Sequence, residues 1–329
     1  MQDMNVLEEG HLTVYAGLPV VNWPSPQAME HGGRPTATAT AAEAAWRITA
    51  DTYDSEESWP EAFARFAEAV DLTEVRALIV GAWPDAYENG PDRAVEALLA
   101  ARDRLPALRA LFVGDMVSEE CEISWIVQSD LTPLLTGFPE LEHFGIRGGT
   151  SLVFPAVRHD KLRELVVQTG GLPAEVVRGI AACDFPALTT LDLWLGTSDY
   201  GGDSQPADLA PFLAGTRLPA LRRLALRNSE IQDEVAAAVA TAPVVARLDA
   251  LDLSMGVLTD AGATALLDGQ SLTHLKSLDL HHNYIGKDVA QRLRDALEPA
   301  GVRLDLDHGD AEEDDEEDGT VWRYVAVGE

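Results

Sequence analysis

The sequence predicts an α/β solenoid, an arc or horseshoe with a parallel concave sheet and helices on its convex side, built from eight or nine repeats. Three observations predict it. First, a pair of apolar residues two apart recurs at Leu78/Val80, Leu111/Val113, Phe144/Ile146, Leu165/Val167, Leu191/Leu193, Leu224/Leu226, Leu251/Leu253, Leu278/Leu280 and Leu304/Leu306. Second, the steps between pairs are 33, 33, 21, 26, 33, 27, 27 and 26 residues, within the range of roughly 20 to 50 that marks one supersecondary unit stacked many times. Third, stretches of helical period follow many of the pairs, so a unit reads as strand, turn and helix. One such unit cannot bury its own apolar face, and stacking supplies the core.

Residues 1–71 read as an N-terminal cap. HLTVYAGLPVV (11–21) alternates partially around a Gly17-Leu18-Pro19 break, and Trp46 to Thr49 fits another short strand. Between them, residues 22–42 are rich in Pro, Gly, Thr and Ala without periodicity and read as a flexible loop. Ser58-Trp59-Pro60-Glu61 has capping-box spacing with Pro in the first turn, and Phe63, Phe66, Ala67 and Val70 follow at i, i+3, i+4, i+7. That helix is expected to cover the open end of the first repeat. The solenoid spans 72–307. Its convex helices are predicted at Arg93–Arg104, Ala174–Ala182, Ala207–Leu213, Asp233–Thr241, Asp260–Leu267 and Lys287–Leu297, with Leu258 and Ile285 packed beneath the turns after their strands. Residues 308–329 form a tail: DAEEDDEED (310–318) holds eight acids, and TVWRYVAVGE (320–329) is aromatic and β-branched.

The pattern L-x-x-L-x-x-L-x-L-x-x-N resembles the leucine-rich repeat, in its long ribonuclease-inhibitor-like form. It is clearest in LDALDLSMGVLTDAGATALL (248–267) and LKSLDLHHNYIGKDVAQRLRDAL (275–297). GAWPDAYE, SEECEISWI, LGTSDYGGD and WRYVAVGE also look like an uncharacterised family of actinobacterial leucine-rich repeat proteins, whose genes often stand beside radical-SAM, ATP-grasp and hydrolase genes. The chain departs from the repeat at the usual asparagine, five residues after the first of each pair: it has Trp83, Met116, Gly149, Gly170, Gly196, Ser229, Gly256 and once Asn283. Glycine there is expected to permit a tight or left-handed turn in place of a side-chain hydrogen bond.

A formal net charge of −31, from 55 acids against 24 bases, repels nucleic acid and anionic membranes and speeds encounter with a basic partner. The same acidity serves solubility. Cys121 and Cys183 are the only cysteines, and their spacing builds neither a disulfide framework nor a zinc site. The start MQDMNVLEEG has no signal-peptide pattern, and no apolar run approaches the ~20 residues of a membrane span. A cytoplasmic location is expected. Three lysines among many arginines and alanines fit a high-GC bacterial genome.

Partner-binding candidates fall into two groups. Acidic-aromatic loops carry Asp85, Tyr87, Glu88, Trp125, Asp199 and Tyr200, beside Glu119, Glu120 and Glu122; tyrosine and tryptophan anchor interfaces, although insertions also gather wherever backbone stays solvated. A metal cluster from Asp115, Glu119, Asp199 and Asp203 lacks any calcium-loop spacing, so no metal or cofactor is expected. On the concave face, the column between paired residues reads Ile79, Phe112, Gly145, Val166, Asp192, Ala225, Asp252, Asp279, Asp305, and the next column Gly81, Gly114, Arg147, Gln168, Trp194, Arg227, Ser254, His281, Asp307. Aspartates on neighbouring strands ~4.8 Å apart form a like-charge row that needs arginines or a basic ligand. Arg223, Arg227 and Arg303 are the local alternative.

His274, His281 and His282 lie near Asp279, half of an acid-base pair. No nucleophile motif or phosphate loop accompanies them, so no enzymatic activity is expected. The expected function is protein-protein recognition, as a scaffold, adaptor or inhibitor. An alternative makes the chain a carrier whose final peptide, with Trp322, Arg323 and Tyr324, is bound or modified by a tailoring enzyme; that peptide either folds back on the body or is offered to a partner. A third follows from the resemblance alone, since GTPase activators also join repeats of this kind to an acidic tail.

Overall fold

In the computed structural model, which describes residues 10–26, 40–53, 55–315 and 321–329, every apolar pair starts inside a strand. Most of the loop expected at 22–42, part of the acidic run 310–318, and Thr320 lie outside those residues. After β1 (Val14–Tyr15), β2 (Leu18–Asn22) and β3 (Ala45–Ile48) come β4 (Ala77–Val80), β5 (Ala110–Val113), β6 (His143–Arg147), β7 (Glu164–Gln168), β8 (Thr190–Gly196), β9 (Arg223–Ser229), β10 (Ala250–Asp252), β11 (Ser277–Asp279) and β12 (Arg303–Asp305). Eight helices are described: α1 (Trp59–Ala69), α2 (Asp92–Ala100), α3 (Thr132–Gly137), α4 (Ala174–Ala182), α5 (Pro206–Leu213), α6 (Gln232–Ala240), α7 (Asp260–Asp268) and α8 (Lys287–Leu297). The chain divides into two compact units, Met1–Leu165 and Val166–Gly328.

Within the first unit the strands follow chain order and, apart from the β1–β2 hairpin, run parallel. Its ladder pairs Val21 with Trp46, Trp46 with Leu78, Leu78 with Leu111 and Leu111 with Phe144. Two strands therefore precede the first apolar pair in the same register, where the sequence assigned them to a cap. Ser58 opens α1 as its spacing predicted: the Glu61 carboxylate accepts from the Ser58 backbone N–H and hydroxyl, both at 2.7 Å, and Trp59, Phe63 and Phe66 are buried. Helices α1, α2 and α3 pack side by side.

The second unit repeats the scheme with parallel strands. Leu191, Leu224, Leu251, Leu278 and Leu304 are successive register partners, and α4 to α8 pack in sequence. The first four of those leucines are essentially without exposure, each burial contributing about 1.5–3 kcal/mol before entropy. Leu258 and Ile285 are buried under their turns as expected. Helices α4 and α8 have the predicted bounds. The short α3, with Pro133 at its start, has too few residues to show a helical period and was not anticipated.

The turns after the strands differ from expectation. The left-handed residue lies four places after the first of the pair, at Gly148 (φ 103°), Asn228 (φ 52°), Met255 (φ 68°) and His282 (φ 48°). Of the glycines five places on, only Gly196 (φ 71°) is left-handed. A Cβ on Gly256 would stand 2.4 Å from the Gln232 side-chain oxygen, so that glycine serves close approach. Gln232 is fully buried and donates to Leu226 O at 2.9 Å, and Asn283 donates to Leu280 O at 2.7 Å. At Gly196 both constraints meet: a Cβ would stand 1.9 Å from Gly170 O. Gly196→Ala is expected to destabilise the protein by about 2–4 kcal/mol, from strain at a positive φ and a backbone clash together; a urea midpoint within error of the parent would contradict this.

Candidate recognition surfaces

Much of the strand face read as an open concave surface is buried, while Asp279 and His281 are half-buried and Asp305 and Asp307 stay exposed. In the first unit Leu12 and Tyr15 cluster with Ala45, Ala77, Ile79, Ala110 and Phe112, flanked by Ala16, Leu18 and Val20. The Tyr15 ring meets Phe112 edge-on at 5.7 Å and its hydroxyl donates to Leu111 O at 2.8 Å. Burial, with Glu164 adding to it, holds the Tyr15 phenol well above its ordinary value. Gly145 belongs to this face: a Cβ there would lie 2.2 Å from the Phe112 ring, so its lack of a side chain makes room for Phe112.

Charge pins this cover. The Asp115 carboxylate, fully buried, accepts from Leu12 N (3.1 and 3.3 Å) and pairs with Arg47 (3.1 Å) and Arg147 (3.5 Å). Arg147 donates to Met116 O (2.6 Å) and Gly10 O (3.3 Å), and Arg47 reaches Glu120 (3.2 Å). Burial, then the nearby Arg47 guanidinium, holds His11 below the ordinary histidine value. Arg147, expected on an open face, is thus 6% exposed and committed to holding residues 10–12.

In the second unit Asp192, Trp194, Arg227 and Asp252 are likewise buried, at 4%, 2%, 9% and 3% exposure, where an open face was expected. The reason is mutual pairing, with Met255 Sδ 3.4 Å from Arg227 Nη1. Arg227 Nε and Nη2 donate to the two Asp192 oxygens at 3.1 and 2.9 Å, its Nη1 lies 3.7 Å from Asp252, and its guanidinium sits 5.1 Å over the Trp194 ring. Arg223 approaches Asp252 at 3.8 Å. Arginine, the local alternative, therefore supplies the compensation. Burial alone would lower the Arg227 guanidinium, but Asp192 and Asp252 outweigh desolvation and the net shift is upward. Burial pushes the Asp192 carboxyl up, with Arg227 pulling against it.

The aspartate row has a backbone role. Asp252 accepts from Ser254 N–H and hydroxyl (3.2 and 2.6 Å), Asp279 from His281 N–H (3.1 Å), and Asp305 from Asp307 N–H (3.0 Å). Each carboxylate closes the strand end two residues on, an Asx turn. The D-x-S, D-x-H and D-x-D spacing carried that signal. His281 Nδ1 also meets Asp279 at 2.7 Å; burial would raise Asp279, and the hydrogen bonds and charge of His281, together with Arg227, outweigh it to lower the carboxyl.

The final peptide packs on the turns that follow these strands. β13 (Glu313–Asp315) pairs antiparallel with β14 (Val321–Arg323), Arg323 meets Glu313 at 2.6 Å, and residues 324–327 then run across the turns. His282 Nε2 lies 3.0 Å from Tyr324 O, Met255 O accepts from Ala326 N–H at 2.8 Å, and the Asn228 amide donates to Val327 O (2.7 Å) and accepts from Val327 N–H (3.0 Å). Gly328 lies beside the Tyr200 ring. Of the two placements left open by the sequence, the structure has the tail folded back; Trp322 and Tyr324 keep exposed side chains, at 51% and 52%.

The loops stay open. In the first unit Val127 N–H donates to Ala86 O (2.9 Å), joining the Asp85 loop to the loop that holds Trp125. Trp125 is 56% exposed and Tyr87 37%. Tyr87 stacks on Tyr53, 57% exposed, with centroids 5.7 Å apart. Sequence reasoning missed Tyr53, though its place in the acid-flanked DTYDSEE was the available signal. Asp85 and Glu88 lie near the Tyr87 ring, and they are exposed, as are Glu119 and Glu122 in the loop that holds Trp125. A cavity of about 350 Å³ beside them is walled by Trp59, Pro60, Trp83, Pro84, Pro91 and Arg93. In the second unit Asp199 is exposed and Asp203 accepts from Ala174 N–H at 2.6 Å, capping α4. Among the described residues no three His, Cys, Asp or Glu converge on a possible metal position. Burial, then Glu122, pushes the Cys121 thiol up to about 11. No described helix is long and apolar enough to cross a membrane.

Against known proteins, no family model and no curated protein matches the chain. A crystal structure of a Bacteroides fragilis protein superposes with a TM-score of 0.73 at 26% identity, covering 86% of this chain and 78% of that one. An internalin from Listeria monocytogenes reaches only 0.30 at 14% identity over 71% and 75% of the two chains, too little to carry an argument.

Proposed function

We propose that the chain is a leucine-rich repeat protein of eight or nine repeats in an arc, whose work is non-catalytic recognition of another protein, as a scaffold, adaptor or inhibitor. The exposed rings of Tyr53, Tyr87 and Trp125, on loops that also carry exposed acids and are joined by the Asp85 N–H to Thr52 O and Val127 N–H to Ala86 O bonds, carry this reading. Large aromatics left in water on braced backbone are the anchors that interfaces use. The cavity beside them accepts a partner side chain. The acids select a basic protein or peptide, and with the net charge they disfavour nucleic acid and membrane surfaces. No cofactor takes part, and the working compartment is the cytoplasm. The buried charges of the strand faces, already paired, drop out of the binding surface.

Affinity capture with the full chain tests this. A bound protein is expected to weaken by at least about thirty-fold when Tyr87 and Trp125 are both replaced by alanine, as even one hot-spot anchor of ~2 kcal/mol would require, and to release at high salt. Capture indifferent to both the double variant and salt would sink the proposal. A second reading, in which the final peptide is presented to a modifying enzyme, is favoured by the exposed Trp322 and Tyr324 side chains on a backbone held in place. An unchanged intact mass in the native host removes it.

A further inference from the structure

We infer that residues 324–327 occupy a peptide-binding groove, and that the groove takes in trans an uncharged segment of a partner protein with a β-branched apolar residue at the Val327 position and a small residue before it. The groove goes beyond the loop surface proposed above and uses none of its residues.

Its walls recur with the repeat. Asn228, Met255 and His282 stand 27 residues apart, each four places after the first of its apolar pair and each with positive φ. Non-glycine residues seldom adopt that conformation, and glycine would hold it without strain. Three successive repeats keep a strained non-glycine residue at one place, and all three touch the same four-residue segment. Such outliers cluster at ligand clamps.

The contacts read a backbone. The Asn228 amide pairs with both the N–H and the C=O of Val327, as a neighbouring strand would. Met255 O takes the N–H of Ala326. At Tyr324 the Tyr284 hydroxyl accepts from N–H (3.0 Å) and lies 2.8 Å from O, with His282 Nε2 on the same oxygen. Main-chain pairing gives affinity and side-chain pockets give selectivity in such sites. Selectivity falls on Val327, 7% exposed, because the Tyr324 ring stays in solvent and Ala326 is half-buried. Arg227, whose Nη1 contacts Met255 Sδ at 3.4 Å, is already bound to Asp192 and Asp252, so this guanidinium is not free to select an acidic ligand.

A tethered segment competes at an effective concentration near the millimolar range, so the chain's own tail is a placeholder that a trans ligand must displace. That segment follows the acidic run 310–318, whose like charges oppose a chain of formal charge −31. The same repulsion disfavours a second copy as the ligand.

The test is fluorescence anisotropy with a labelled peptide of residues 321–329 as probe, against full-length proteins. Val327→Asp, which ejects the resident tail, is expected to bind the probe at least ~10-fold more tightly than the parent, in keeping with loss of a tethered competitor. Asn228→Gly added to Val327→Asp keeps the left-handed backbone and is expected to abolish that binding, and a probe carrying the same Val-to-Asp change should not bind. Amide exchange at 324–327, protected in the parent, should be fast in Val327→Asp. A folded Val327→Asp protein that ignores the probe, or binds it equally with Asn228→Gly present, overturns the inference. So does a parent dimer that Val327→Asp dissociates, since the groove would then belong to a second copy. None of these readouts depends on Tyr87 or Trp125, so failure here leaves the loop proposal standing, and the reverse.

Discussion

Arg227→Met should destabilise the protein by about 3–5 kcal/mol at neutral pH, the cost of removing one partner from a buried charge network. Methionine fills much of the same volume, so packing is nearly conserved while Asp192 and Asp252, 4% and 3% exposed, lose the guanidinium between them. Breaking the set is far worse than replacing it whole, because the uncompensated carboxylates remain desolvated. The pH dependence follows with a definite sign. Burial already holds the Asp192 carboxyl above its ordinary value, and Arg227 is the group that pulls it down. Without Arg227 it rises further. A carboxyl with a folded pKa above the unfolded value of about 3.9 binds its proton more readily when folded, so its penalty is full at neutral pH and disappears as pH falls through the folded pKa. The gap between variant and parent, from urea unfolding followed by circular dichroism, should therefore narrow on acidification. Adding Asp192→Asn should recover part of the loss at neutral pH. A gap under about 1 kcal/mol, or one constant with pH, would mean that Arg227 is a surface-like pair worth little.

The same network shows where a sequence stops being informative. Leu191, Leu224, Leu251 and Leu278 were legible because a stacked unit must bury a residue at each turn of the repeat, and that demand writes a period into the chain. Helices α4 and α8 were legible for the same reason, since an apolar stripe and its boundaries are local. Outward alternation is local too, and it placed Asp192, Trp194 and Arg227 correctly on the far side of each strand. It could not say what lies above them. The cover on Phe112 comes from Tyr15, 97 residues away, and the hydrogen bonds on Asn228 come from Val327, 99 residues away. No periodicity links such positions. The left-handed turns at Asn228, Met255 and His282 were hidden because glycine, the expected carrier, is absent there. The open loops around Tyr87 and Trp125 were found by composition, and Tyr53 was missed because its stacking partner lies on another repeat.

Asp115→Ala should cost about 3–5 kcal/mol in the first unit by the mirror-image route, through two buried cations left without their anion. The carboxylate is fully buried between Arg47 and Arg147, whose side chains are 4% and 7% exposed, and it also accepts the Leu12 N–H. Alanine leaves that donor unpaired and leaves Glu120, 27% exposed, as the remaining carboxylate near Arg47. The loss is expected to open the cover before the sheet. Residues 12–15 hold Tyr15 over Phe112, fastened at Leu12 by Asp115 and at the other end by β2 in the sheet, so amide exchange at Val14 and Tyr15 should accelerate far more than at Leu111. Tyr15 supplies a spectroscopic measure of the same event. Burial holds its phenol well above the ordinary value, and once uncovered it should titrate near the usual ~10 of tyrosine, one ring more than in the parent by ultraviolet absorbance. Arg147→Met in the Asp115→Ala background removes one stranded cation and should restore part of the stability. A cavity variant such as Phe112→Ala, expected to cost about 3–5 kcal/mol through lost packing, offers no such rescue by a charge change. If Asp115→Ala leaves Tyr15 untitrated and its amide protected, the cover is held by its apolar contacts alone and the buried ion cluster is not its fastening.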